Sequence, residues 1–390
     1  MRKPSRICRV NLHQVVVPAK PGSINSECFG VDIDWDLWPI CLVELHTDDG
    51  RVGLGEATRG VELAALEPFS RQLVGVAVTP SLACLPPSFR IGWDFNLVHR
   101  HPEPMWKARQ QAHQAALMAI EIALLDLAGQ RLGCRVADLL GGPYRESVPV
   151  DYWCARQTPD DLSRLVRRAR EQGFRGLKMK SKLEPGHGRS ADLVLEQVAA
   201  ITQAAGKDFR ITIDPMFQWC SPTDALPIFR ELEKITSHVQ VEDPFPQDQP
   251  EYWRRARQVS SIPLIWHART LDVLRRALQE QCADDYNCAG PISEFMTQAH
   301  AVEAHGGACW HGSGIELGVG QVAHLHAACA ARACVLASDF VSGLIRQHTL
   351  IDWNWPYRDG QLPLPQGPGL GVKLDLDAVE KHKTGQATIT

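Results

Sequence analysis

A chain of 390 residues is long enough for a large core and about two domains. With 44% hydrophobic and 22% charged residues it has the make-up of a soluble globular protein, and no apolar run reaches the length of a membrane-spanning helix. The net charge of -4 gives no sign of the basic surface that nucleic acid or an anionic membrane selects.

The first 18 residues are basic and then alternate like a strand, without the apolar core and cleavage site of a signal peptide. The 12 cysteines are scattered, with no Cys-x-x-Cys pair, and several sit among Ala, Leu and Val. They read as small buried hydrophobes of a reduced, cytoplasmic protein.

Residues 1 to about 60 read as an antiparallel meander. Trp38 to His46 is one strand, Thr47-Asp48-Asp49-Gly50 the turn, and Val52 to Ala57 the returning strand. A Pro/Gly/Ser/Asn loop, Pro18 to Gly30, precedes them, and loops of this composition often cover sites. A helical segment around Val61 to Val74 is followed by a Pro-rich crossing at Pro80, Pro86 and Pro87. Lys107 to Leu132 is the longest helix, with Gly133 as its stop signal. Leu139 to Pro143 closes this part, so a first domain of residues 1–145 is expected.

From Val148 onward strands alternate with amphipathic helices. The strands predicted are Val148–Ala155, Gly176–Lys180, Arg210–Asp214, Val239–Glu242, Pro263–His267, Asp284–Cys288, Ala308–His311 and Val335–Asp339. Strands in this number and rhythm predict an α/β fold of the (β/α)8 type, a modified TIM barrel over residues 146–362. No Gly-rich phosphate turn follows the first strand, so nothing favours an open doubly wound sheet. The Pro/Gly-rich tail, 363–390, is expected to return to the first domain, giving an α+β cap completed by both chain ends.

In such a barrel the chemistry sits where strands end. These strands end in Lys178 and Lys180, Asp214, Glu242, His267, His311 and Asp339, with Asp284 and Asp285 on the sixth. A local cap or ion pair would explain any one of these residues. The whole set is not what a plain core needs, because charge is costly to bury unpaired. Lys178 and Lys180 share one strand face, and their mutual repulsion favours loss of a proton, giving a base usable at neutral pH. Asp214 and Glu242, on adjacent strands, suit a hard divalent cation, Mg2+ first and Mn2+ second. Trp153 and Trp266, near strand ends, either line a substrate pocket or pack the barrel. Asp339 either acts on substrate or caps the next helix.

The sequence resembles the enolase superfamily, in its mandelate racemase and muconate-lactonizing branch. The resemblance rests on the Val43 to Ala57 hairpin and on AIEIALLDLAGQRLG…LLGG (Ala119 to Gly142). It continues through the Lys178-x-Lys180 pair, Asp214, Glu242, the His311 to Ala328 run and PGLGV (Pro368 to Val372). It implies removal of the proton alpha to a carboxylate, with a metal ion stabilising the enediolate. On the same basis Lys180 is a base assisted by Lys178, Asp214 and Glu242 are metal ligands, and His311 is a second acid/base held by Asp285 on the opposite face. The third metal ligand, a carboxylate or sometimes an amide in relatives, falls at His267, so either this imidazole ligates or water fills the place. Met216 and Gly290-Pro291 replace the usual Asn and Gly-Gly.

The activity implied is dehydration of a small acid sugar. Racemisation or epimerisation of a 2-hydroxy acid comes second, and a non-catalytic scaffold binding a small acid is the alternative of another class. A homo-oligomer is implied by the resemblance alone. Specificity is expected in the Pro18–Gly30 loop and the Glu56–Glu62 segment.

Overall fold

The computed structural model is described over residues 5–29, 37–78, 104–181 and 190–390, without the side chains of 104–115, 190 and 191. Lys182, the crossing at Pro80–Pro87 and the end of the 18–30 loop lie outside the described residues.

The first unit is a four-stranded antiparallel sheet. Its strands β1 (Ile7–Val15), β2 (Ile40–Thr47) and β3 (Val52–Glu56) run side by side, and the last strand, β13 (Lys383–Ile389), pairs with the other edge of β1. The tail therefore returns to the sheet that the chain began. Alternation along β2 divides its side chains between two cores. Cys41, Val43 and Leu45 pack into the core of the cap, while Ile40 and Leu42 join the core of the barrel.

A helix α1 (Leu63–Arg71) and the 29-residue helix α2 (Pro104–Leu132) complete the unit. Helix α2 is apolar on both sides because it lies between the two cores: Ala119, Ala123 and Leu127 face the cap, and Met118, Ile122 and Leu125 face the barrel. The hairpin β2–β3 rests on this helix backbone to backbone. A Cβ on Gly55 would lie 2.0 Å from the Ala119 carbonyl oxygen, and one on Gly53 would lie 2.4 Å from that of Ala123. Glycine is required there by the close approach.

The second unit is a parallel sheet of seven consecutive strands: β5 (Tyr152–Cys154), β6 (Gly176–Lys180), β7 (Arg210–Asp214), β8 (Val239–Glu242), β9 (Leu264–Ala268), β10 (Asp285–Cys288) and β11 (Cys309–His311). Their apolar residues are buried on both faces, as strands between a barrel interior and a helix layer must be. The helices start on local signals. Thr158 accepts the Asp161 N–H ahead of Pro159, and Thr270 accepts that of Val273.

Two expected strands differ. The stretch 148–155 is split: β4 (Ser147–Pro149) pairs with β12 (Gln361–Pro363), and only β5 belongs to the barrel. The stretch 335–339 is not a regular strand. It closes the ring through single bridges, Cys309 with Cys334 and Val150 with Ser338. The break after Pro149 and the short span of 334–338 leave room for bridges but not for a ladder.

Candidate active site

The floor of the site is an ion cluster. Lys178, 3% exposed, projects from β6 into the barrel. Its Nζ lies 2.7 Å from Glu242 Oε2 and 2.9 Å from Asp339 Oδ2. The ammonium also stands 5.6 Å above the ring of Trp310. Burial alone would strip its proton, but Asp339, Glu242 and Asp214 around it hold the group well above the ordinary lysine value. The mutual repulsion of two lysines is thus not what governs Lys178. It is a fixed ammonium, because carboxylates outnumber the neighbouring cation.

Lys180 is ion-paired to Asp214 Oδ2, while Asp214 Oδ1 accepts the Met216 N–H at 2.9 Å. Val241 on β8 pairs with Ile213 on β7, so Glu242 stands level with Asp214. Burial raises the proton affinity of Glu242, yet Lys178 and Lys180 together hold it below the usual carboxylate range. Its Oε1 accepts the Asn287 amide at 2.9 Å and lies 3.6 Å from His267 Nδ1.

The next residue, Asp243, takes a left-handed backbone (φ 47°), which turns its carboxylate back toward the site. There it accepts the His267 N–H at 3.2 Å and the Gln247 amide at 3.1 Å. Burial, Glu242 and Asp214 push its carboxyl well above the usual range. One ligand atom each from Glu242, Asp243 and His267 fall within 4.8 Å of one another. Burial, followed by Arg269, keeps His267 well below the usual histidine value, in the neutral form that binds metals.

Above this floor lies a cavity of about 360 Å³, within the range of small-ligand sites. Lys180, Asp214, Asp243 and His267 form its base; Thr58 and Arg59 of the cap, Arg269 and Glu316 form its rim. Glu316 is turned to its own loop, accepting the Ser313 hydroxyl at 2.5 Å and the Gly314 N–H at 2.7 Å. The rim is braced from below by Glu56 at the end of β3. Its carboxylate accepts the N–H groups of Leu317 (2.5 Å) and Gly320 (2.8 Å) at the start of the helix Gly318–Ala330, which follows the rim loop.

The structure brings together Lys178, Lys180, Asp214, Glu242, His267 and Asp339. Of the other four residues of the sequence reading, Asp285, Trp153 and Trp266 lie off the cavity, and His311 lies on its wall. Asp285 begins β10, three residues before Cys288, which is the partner of His311. Asp285 and His311 are therefore at opposite ends of the sheet, and no dyad forms. His311 lies on the wall of the cavity that Lys180 also lines, and its ring packs against neighbouring rings. It stacks on His324 (4.2 Å between centroids) and lies 5.2 Å from Phe295 and 5.3 Å from Phe340. Burial, then His324, hold it well below the usual histidine value, so it is a neutral core imidazole. The cause is parity: Trp310 and Asn287 are partners facing the interior, so His311 and Cys288 face outward.

Trp266 likewise faces the helices, 4.6 Å from the ring of Trp253, and does not reach the cavity. Trp153 is the partner of Lys178 and is buried within the barrel below the cavity. Two residues were missed. Asp243 was legible as a second acid directly after a strand end. Asn287 carries no charge, and only its register with His267 points to it.

Comparison with known proteins agrees with this architecture. Family models match residues 37–141 as a mandelate racemase/muconate lactonizing enzyme N-terminal domain and residues 161–378 as an enolase C-terminal domain-like region. Muconate cycloisomerase 1 of Rhodococcus opacus is 28% identical over 278 residues, 68% of this chain and 71% of that protein. D-xylonate dehydratase of Haloferax volcanii is 25% identical over 90% of this chain and 87% of its own length. The solved structure of N-succinyl Arg/Lys racemase from Bacillus cereus superposes with a TM-score of 0.78 at 20% identity, covering 99% of this chain and 100% of that one.

Proposed function

The chain belongs to the mandelate racemase/muconate lactonizing enzyme branch of the enolase superfamily, and on that premise we propose that it dehydrates an acid sugar from one face of the substrate. The observation carrying this reading is the pair of lysines with unlike surroundings. Lys178 is locked between two carboxylates beneath the floor, whereas Lys180 reaches the cavity itself.

The residues fit a divalent cation. Asp214, Glu242 and Asp243 crowd three buried carboxylates together, and Asp243 answers by holding its proton tightly. A cation held by Glu242, Asp243 and His267, with Asp214 beside them, would relieve that repulsion. Mg2+ suits the oxygen donors, and the imidazole admits Mn2+. When bound, it supplies positive charge against the oxygens of the enediolate.

The protein's own groups do the rest. The amine form of Lys180 is the one that takes the proton alpha to the substrate carboxylate, and the C–H electron pair passes into the enediolate. That pair then forms the C2–C3 double bond as the C3–O bond breaks. The departing hydroxyl takes a proton back from the Lys180 ammonium and leaves as water. Lys178 stays charged and offsets the negative charge of the carboxylate. One group serves both proton transfers, so elimination is syn. Racemisation, which needs an acid/base on each face, is less favoured with the ring of His311 stacked on His324 and Phe340.

The test is solvent-deuterium exchange at C2 and release of the 2-keto-3-deoxy product, measured on the Mg2+-loaded enzyme across a panel of aldonic and aldaric acids. Exchange with retained water loss supports the reading. Interconversion of two 2-epimers without water loss would replace it with racemisation.

A further inference from the structure

The ring of barrel helices is short on its closing side. The segment 334–338 is followed only by the four-residue helix Ser342–Ile345, where a full barrel helix would pack beside the helix Pro159–Glu171. The loop of residues 18–29 is laid over this gap and tied down on both sides. The Lys20 N–H donates to the Ile345 carbonyl at 2.7 Å, and the Ser23 hydroxyl donates to the same oxygen at 2.9 Å. On the other side the Gln157 amide donates to the carbonyls of Gly22 (3.1 Å) and Ile24 (3.0 Å). Beneath the loop is a cavity of about 810 Å³, more than twice the volume above the floor of the active site. No described residue lines both cavities.

Its lining carries unbalanced charge. Arg164 is paired with Asp161, whose carboxylate also accepts the Ser26 and Thr158 hydroxyls. That leaves Lys20 and Arg168, both exposed, with Glu27 as the remaining acid. Neither cation has a carboxylate partner among the described residues, and the Arg168 guanidinium has no acceptor there at all. The Lys20 ammonium is fixed by the Gly343 and Leu344 carbonyls, at 2.8 and 3.2 Å, which leaves one N–H to give. Burial, and after it Arg168, draw this ammonium below the ordinary lysine value, so the two cations stand close enough to repel. The third group is Tyr152, only 7% exposed. Its hydroxyl makes no hydrogen bond among the described residues, a costly state for a buried polar group.

We propose that this cavity is a second ligand site, separate from the active site, which takes the phosphate group of a small phosphorylated metabolite. Arg168 and Lys20 face its two negative charges, and the Tyr152 hydroxyl donates to a further oxygen. A phosphate monoester brings close to two charges and three acceptor oxygens, whereas a carboxylate brings one charge and two. The rest of the volume has room for a sugar. Once bound, the anion joins the loop, the helix Pro159–Glu171 and the closing segment, and so holds the loop on the barrel. None of this depends on the dehydration reading.

The experiment is calorimetry on the full Mg2+-loaded chain, with ribose 5-phosphate, inorganic phosphate, ribose and succinate as probes. It is run on the wild type, R168Q, Y152F and K180M. Ribose 5-phosphate should bind saturably and ribose should not. R168Q should weaken that binding about tenfold or more and Y152F about fivefold, the scale of a charged and a neutral hydrogen bond. K180M should leave it within about twofold, because Lys180 belongs to the other cavity. R168Q should keep the wild-type unfolding temperature, since it gives up no partner. No saturable binding of either phosphate, or binding that R168Q leaves unchanged, would overturn the site. Binding lost in K180M would overturn it too, by placing the anion in the active site. Succinate bound more tightly than ribose 5-phosphate, in a way that R168Q abolishes, would overturn the phosphate assignment.

Discussion

Two sets of buried carboxylates, one in the floor of the site and one at the seam between cap and barrel, are held by different means. In the floor of the site, Glu242, Asp214 and Asp339 face lysine ammonium groups. At the seam between cap and barrel, Glu56, Glu121 and Asp126 face backbone N–H groups. Glu56 accepts those of Leu317 and Gly320, Glu121 that of Ser293, and Asp126 those of Leu54 and Leu370. Burial acts on both sets, but its outcome differs. Glu242 is held below the usual range by two lysines, while burial pushes Glu56 up to about 8, Glu121 to about 7 and Asp126 to about 6. At Glu242 full opposite charges offset burial, whereas at Asp339 burial outweighs its single lysine and raises the carboxyl above the usual range. At the seam a pair of N–H dipoles offsets burial only in part.

The largest effect that would break this contrast is at Lys180. Lys180→Met should lower the rate of C2–H exchange by about 10^2- to 10^4-fold, the range of a general base, with the fold kept by circular dichroism. Next comes Lys178→Met, which leaves Glu242 and Asp339 buried without their cation. It should cost about 3–5 kcal/mol in guanidinium unfolding, and adding Asp339→Asn should recover part of that.

The seam should respond to pH in the opposite sense to a lysine-paired carboxylate. The carboxyl of Glu56 has an ordinary value of 4.5 and about 8 when folded, so the folded state binds the extra proton between them. Its stabilising share is complete below pH 4.5 and is lost as pH rises toward 8. Thermal unfolding at pH 6 and pH 9 should differ by roughly 3 kcal/mol through Glu56, and Glu56→Gln should remove that share while leaving the smaller shares of Glu121 and Asp126. At pH 6 itself that variant should cost about 1 kcal/mol, because an amide can accept only one of the two N–H bonds. The smallest effect is expected at His311. His311→Phe should keep exchange within about twofold of wild type, since a ring stacked among Phe295, His324 and Phe340 tolerates another ring. A large loss of exchange would return that residue to the chemistry.

Much of this was readable from the chain alone. Strand ends carry an unambiguous signal when an apolar run finishes in Lys, Asp or Glu, as β6, β7 and β8 do. That signal located Lys178, Lys180, Asp214 and Glu242. It failed where a strand is buried on both faces. In Cys309-Trp310-His311 every residue is apolar or aromatic, so the sequence holds no record of which one faces inward. Only the pairing with β10 supplies the parity, and it puts Trp310 inside and His311 outside. The Asp285 assignment failed by register, because its strand begins where the dyad needed it to end. Asp243 was hidden by a backbone turn, since φ of 47° reverses the alternation that strand reasoning assumes. Asn287 was hidden by neutrality, although it is a buried partner of Glu242.

The pairing of β1 with β13 fixes an order of events during synthesis. The first strand of the cap leaves the ribosome long before its neighbour Lys383–Ile389 has been made. At ordinary translation rates the free edge of β1 waits on the order of tens of seconds. Throughout that time it presents unpaired N–H and C=O groups, the feature that recruits stray strands from other chains. The final few residues therefore act as the closing stitch of the first-made sheet, and a nascent chain that stalls before Lys383 carries an open seam.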